Sequence, residues 1–302
     1  MNNEIIIKEC ILKNLKTSVS EISKLGNGAC GSVYRVKLDT NKIIAVKVSE
    51  HAELMLKEYE MLSFLKNKTT SKIPDIYYYD KLQNKGIIAM QYIDGISGAD
   101  KSLKYRLNKK SLSESIIDNL LKIQNIHNDK FGPYDNAVYD TWQEYYKKFA
   151  DEIYTFSIQM HSEHKLDDIV MNAVALSYEN FDKILSEKIV PPTLIHGDYW
   201  MPNFIIDKKS MKLLSVVDPF NVMWADPEYE LFALTVGFGK SLHLYERYKT
   251  RVKVSEYCDM KLEMYALYSE LLWYKKLGSI THSYLKMRSK RLIKEMKKNK
   301  II

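Results

Sequence analysis

Gly26, Gly28 and Gly31 stand in a G-x-G-x-x-G spacing with strand-like runs on both sides. That flanking restricts the fold. A dinucleotide-binding turn needs a helix to open at the third glycine. Here the branched and aromatic run SVYRV follows it, which suits a strand and not a first helical turn. The glycines therefore read as the tip of a β-hairpin folded over phosphates, where missing side chains admit backbone N–H groups to the anion. Strand patterns continue at 33–38 and 43–48, with the turn residues DTNK between them.

Lys47 lies inside the second of these apolar strands, where an ammonium is costly unless paired. A helical recurrence follows, with Leu54, Leu56, Met61, Leu62 and Leu65 as its apolar positions. Glu58 in its middle can pair with Lys47 and hold the ammonium on the α- and β-phosphates of a nucleotide; Glu60 is the alternative partner. Two more strand patterns cover 74–80 and 85–93 before Asp94-Gly95. The connection from Gln91 to Ile93 can present backbone N–H and C=O groups to an adenine edge.

The chemistry concentrates further along, in LIHGDYWMPNF and KLLSVVDPF. Phosphoryl transfer needs a carboxylate to orient a hydroxyl and take its proton, and hard oxygen ligands to hold Mg²⁺ on the phosphates. Asp198 suits the first role, and Asn203 and Asp218 suit the second. The stretch between them predicts a β-hairpin with its turn at 207–210, which would bring Asn203 and Asp218 to one end.

The 302 residues allow one large domain or two smaller ones. Three cysteines, Cys10, Cys30 and Cys258, provide no disulfide framework and fit a reducing cytosol. No apolar stretch approaches the ~20 residues of a membrane span, and the start of the chain is a poor signal peptide. The net charge of +7 sits in the last 28 residues, which carry +9, so nucleic acid is not a required partner of the chain as a whole. That basic end reads as a solvated helix end, with contact to nucleic acid or anionic lipid as the alternative.

HGDYWMPN followed by VVDPF resembles the aminoglycoside phosphotransferase family, which also holds choline, fructosamine and methylthioribose kinases. The resemblance runs from about Leu25 to about Leu234. It implies an α+β, bilobal protein-kinase-like fold. A small N-terminal antiparallel β-sheet lobe with one helix (1–93) would bind the nucleotide, and a larger, mainly helical lobe (94–302) would carry catalysis and substrate binding. It implies Asp198 as the catalytic aspartate, Asn203 and Asp218 as metal ligands, Lys47 and Glu58 as the ion pair, Gln91 and Ile93 at the adenine linker, and His196 as a brace of the catalytic loop. ATP and one or two Mg²⁺ ions follow as cofactors. Two positions depart from relatives: Trp200-Met201 stands where many have His-Pro, and Pro219 follows Asp218 where protein kinases carry Phe.

Gly197 replaces the arginine that protein kinases place between the histidine and the aspartate, and WADPEYELFAL, which reads as helical, leaves little room for an activation loop. The expected acceptor is thus a hydroxyl of a small molecule. An aminoglycoside or related amino sugar comes first, with a fructosamine or a choline-type amine as alternatives and a pseudokinase behind them. The region 98–192 reads as several aromatic-rich helices. Acids between 135 and 182 (Asp135, Asp140, Glu144, Asp151, Glu152, Asp167, Asp168) could receive a polycation. Trp200 and Trp224 could stack on the acceptor or simply pack. Of Asp226, Glu228 and Glu230, one could orient the catalytic loop and the others attract an amine, or all could be ordinary helix N-terminal acids.

Overall fold

The computed structural model describes residues 2–28, 31–105 and 109–302. In chain order its strands are β1 (Val19–Gly28), β2 (Gly31–Leu38), β3 (Ile43–Ser49), β4 (Ile76–Leu82), β5 (Lys85–Gln91), β6 (Ile96–Ser97), β7 (Gly132–Pro133), β8 (Thr193–Ile195), β9 (Phe204–Ile206), β10 (Leu213–Val216) and β11 (Met223–Ala225). The helices are α1 (Asn3–Leu15), α2 (Ala52–Lys68), α3 (Lys109–Gln124), α4 (Trp142–Ser162), α5 (Asp168–Glu179), α6 (Phe181–Ile184), α7 (Gly237–Ser241), α8 (Leu244–Lys249), α9 (Cys258–Leu277) and α10 (His282–Lys298). Two compact units result: Met1–Ile123 with Trp200–Phe220, and Gln124–Tyr199 with Asn221–Ile302.

The first unit is built on an antiparallel sheet in the order β1-β2-β3-β5-β4. Its strands match the branched and aromatic runs of the sequence, and Gly28 pairs with Gly31 across the hairpin tip. One face of the sheet carries α1, through Ile6, Ile7, Cys10 and Ile11 against Tyr34, Val36, Ile44, Val46 and Ile87. Asp80 of β4 clasps that helix, accepting from Lys13 Nζ at 2.8 Å and Asn14 Nδ2 at 2.7 Å. The unit therefore has a helix beyond the one expected beside the sheet.

This unit also runs past residue 93, the boundary expected from sequence. The reason lies in partly buried polar ties. Ser115 Oγ of α3 accepts the Leu213 N–H at 2.9 Å, Asn119 Oδ1 accepts the Lys72 N–H at 2.6 Å, and the Lys72 carbonyl accepts the Val216 N–H at 2.8 Å. These stitch α3 and the β9–β10 hairpin to the segment before β4.

The second unit is mostly helical. Trp142 and Tyr146 of α4 are fully buried and form an aromatic core with Tyr229 and Tyr265. β7, β11 and β8 make a small antiparallel sheet. Trp224 and Ala225 lie in that sheet, so the segment read as helical is a strand followed by a 3-10 segment (Pro227–Thr235). Pro227 at its first turn and the Asp226 side chain on the Glu228 N–H start the 3-10 segment. The basic chain end is α10, which buries Leu285, Arg288, Ser289, Leu292 and Met296 and turns its lysines outward. Cys10 and Cys258 are buried free thiols; Cys30 lies outside the described residues. Among the described residues no helix is long and apolar enough to cross a membrane.

Candidate active site

In the first unit, β3 places Lys47 between Val33 of β2 and Ile88 of β5. The residue is 5% exposed. Its Nζ donates to Glu58 Oε1 at 2.9 Å, to Glu58 Oε2 at 2.8 Å and to Asp218 Oδ1 at 2.7 Å. Burial disfavours the ammonium, but the carboxylates of Glu58 and Asp218 outweigh it and hold the Lys47 pKa above its ordinary value. The buried stripe of α2 is Ala52, Met55, Glu58, Leu62 and Leu65, which puts Glu58 inside and leaves Glu60 exposed. Leu54 and Leu56, expected on that stripe, lie exposed on the other side.

The β9–β10 hairpin forms as read, with Asp207 Oδ1 accepting the N–H groups of Lys209 (3.1 Å) and Ser210 (2.6 Å) in its turn. At its other end the Val217 N–H donates to the Asn203 carbonyl at 3.0 Å, and Asn203 Nδ2 donates to the Asp218 carbonyl at 3.4 Å. Asn203 is buried, while the Asp218 side chain is 44% exposed. Asp218 takes a left-handed backbone with φ of 55°, which aspartate tolerates better than most residues. Gly98 lets the chain pass this end: a Cβ there would sit 1.9 Å from the Met201 carbonyl oxygen, and its N–H donates to Phe204 O at 2.8 Å. No residue pattern around Gly98 signals that close approach.

Among the three loop glycines only Gly31 is demanded by the protein itself, with φ of 153° and a would-be Cβ 2.5 Å from Val48 O. Among the described residues a Cβ on Gly26 would meet nothing within 4 Å, and one on Gly28 would make ordinary contact with the Gly31 carbonyl oxygen at 3.8 Å. Gln91 ends β5 with its Oε1 on the Asp75 N–H at 3.2 Å, and Ile93 follows, partly buried, in the connection to β6. Trp200 is 39% exposed.

In the second unit, Asp198 is partly buried at the end of the loop that leaves β8. The loop is held from beneath. Glu230 is buried, and its Oε2 accepts the N–H groups of His196 at 3.0 Å and Gly197 at 3.1 Å. Of the three acids considered from sequence, Glu230 is thus the one that fixes the loop. Asp226 is buried too, and its Oδ2 takes Lys261 Nζ at 2.7 Å and the Tyr265 hydroxyl at 2.8 Å. Trp224 is buried in β11, its Nε1 on the Tyr134 carbonyl at 3.3 Å. Both are committed to internal contacts, which favours the alternatives of packing for Trp224 and of a segment N-terminal acid for Asp226. The partners Lys261, Gln124 and Tyr248 were not visible from sequence: Lys261 lies 35 residues from Asp226, Gln124 lies 106 from Glu230, and Tyr248 lies 124 from Gln124.

The sequence profile of the fructosamine kinase family matches residues 4–298. A candidate ketoamine kinase from Staphylococcus aureus is 23% identical over 93% of this chain and 96% of its own length. A candidate fructosamine-3-kinase from Haemophilus somnus superposes with a TM-score of 0.73 at 16% identity, covering 96% of each chain. The aminoglycoside phosphotransferase APH(4)-Ia superposes with a TM-score of 0.69 at 15% identity, over 97% of this chain and 99% of the other. The fold is therefore that of the protein-kinase-like phosphotransferases. The chain belongs to the fructosamine kinase family, and it is an ATP-dependent small-molecule kinase.

Proposed function

We propose that the protein transfers the γ-phosphoryl group of ATP to a hydroxyl of a ketoamine, a sugar joined to an amine of the fructosamine type. The family match across nearly the whole chain carries this choice of acceptor over an aminoglycoside. A second observation weighs in the same direction. The acids that could have received a polycation are largely engaged: Asp140 with Lys130, Asp151 with Lys147, Glu152 with Lys275, Asp167 with Lys286 and Asp168 with His161.

In this reading the acceptor hydroxyl attacks the γ-phosphorus, the bond to the β-phosphate oxygen breaks, ADP leaves, and Asp198 takes the hydroxyl proton. Lys47, fixed by Glu58, anchors the α- and β-phosphates. The hairpin tip covers them, and the open space at Gly26 leaves room for backbone N–H groups to face them. Gln91 to Ile93 border the adenine. Trp200, exposed two residues beyond Asp198, remains available to stack on the acceptor. An amide oxygen and a carboxylate at one hairpin end suit Mg²⁺, which is held by one or two such groups together with phosphates. Asn203 and Asp218 would hold it, and bound there it would neutralise charge on the phosphates.

An acceptor screen with coupled ADP detection tests the proposal. Fructosamines and other ketoamines are expected to give the highest kcat/KM, above aminoglycosides, choline and thioribose sugars. Preference for an aminoglycoside would reverse the assignment.

A further inference from the structure

Beneath the catalytic loop lies a buried chain of polar groups whose far end has no part in phosphotransfer as described. Gln124, the last residue of α3, is 6% exposed. Its Nε2 donates to the Pro227 carbonyl at 3.0 Å and to Glu230 Oε1 at 3.3 Å, and its Oε1 accepts the Tyr248 hydroxyl at 2.8 Å. Tyr248 is 1% exposed. The orientation of the amide follows from its neighbours. Turned over, Gln124 would press its oxygen against two acceptors, the Pro227 carbonyl and the Glu230 carboxylate. The Tyr248 proton on Oε1 fixes the other arrangement.

We propose that Gln124, oriented by Tyr248, is a positioning residue for phosphotransfer: its N–H holds the Glu230 carboxylate ionised on the two backbone amides that precede Asp198. The inference rests on Asp198 as the reacting carboxylate. Ionised, Glu230 accepts both amides. Protonated, it loses acceptor strength and the loop loosens. The Glu230 pKa is raised to about 7: burial pushes it up, the amides of Gly197 and His196 and the Gln124 side chain pull it part of the way back, and Asp198 adds a smaller push upward. The other charged or titratable groups around it are His196 on the loop, Asp226 and Glu228 on its own segment, Lys261 of α9, which pairs with both of those acids, and Tyr248 of α8.

Removing the Gln124 donor raises the Glu230 pKa further, so activity must fail at a higher pH. In Gln124→Leu the acidic limb of kcat is expected to move up by about one pH unit, a roughly tenfold loss near the limb. KM for ATP is expected to stay within about twofold, with recovery toward wild type at alkaline pH. Tyr248→Phe keeps the ring and is expected to move the limb the same way by less; it also serves if the leucine variant does not fold. Hydrogen exchange of a peptide spanning 194–199 reads the loop without any turnover and is expected to quicken in both variants, more at low pH. A uniform loss of kcat at every pH, or a limb and an exchange rate that stay put, would overturn the inference. Asp198→Ala is run beside them: full activity there removes Asp198 from the reaction, while the exchange still reports whether Gln124 holds the loop.

Discussion

Asp198→Ala is expected to lower turnover by ~10²–10⁴-fold while ATP still binds. The asymmetry follows from where the residue sits. Asp198 lies in the second unit, on the loop held by Glu230, whereas Lys47, Glu58, Asn203 and Asp218 all lie in the first. Removing its carboxylate takes away the proposed proton acceptor and the group proposed to aim the hydroxyl, but none of the proposed phosphate contacts. Steady-state kinetics with the best acceptor, together with calorimetric titration of ATP, would separate the two effects. Rates near wild type would exclude Asp198 as the base.

Glu58→Ala is expected to damage both stability and catalysis. The Lys47 and Glu58 side chains are 6% and 9% exposed. Deleting one member of so dry a pair leaves a poorly compensated charge, at a cost of up to ~3–5 kcal/mol. Asp218 alone would then face the ammonium, and its more exposed side chain screens it less well. Urea unfolding should show the loss, and KM for ATP should rise. The double replacement Lys47→Met with Glu58→Leu sharpens the test. Two apolar side chains of similar volume should restore much of the stability and none of the activity. A single-mutant cost under ~1 kcal/mol, as for a surface pair, would mean that water reaches the pair.

Much of this fold and site is legible in the residue pattern, and the limits have physical causes. Runs of branched and aromatic residues marked β2 to β5, because a half-buried pleat selects them. The hairpin that brings Asn203 to Asp218 was legible from two apolar runs around a polar turn. The choice of Glu58 over Glu60 was not certain from periodicity, since the apolar positions of α2 include Leu54 and Leu56, which prove exposed. Burial of the glutamate is itself what places it on the inner stripe. Trp224 and Asp226 misled because their types suit a binding pocket equally well. Only the long-range partners Tyr134, Lys261 and Tyr265 reveal a packing role. Glu230 was one acid among three until the N–H groups of the loop were seen to point at it.

The clasp of α1 onto the sheet has a practical corollary for anyone trimming the protein. An expression boundary drawn at Val19, where the five-stranded sheet begins, would strip Ile6, Ile7, Cys10 and Ile11 from a shared apolar layer. Tyr34, Val36, Ile44, Val46 and Ile87 would lose their cover. Such a truncated chain is expected to accumulate as insoluble aggregates, because a bare apolar sheet face sticks to its own copies.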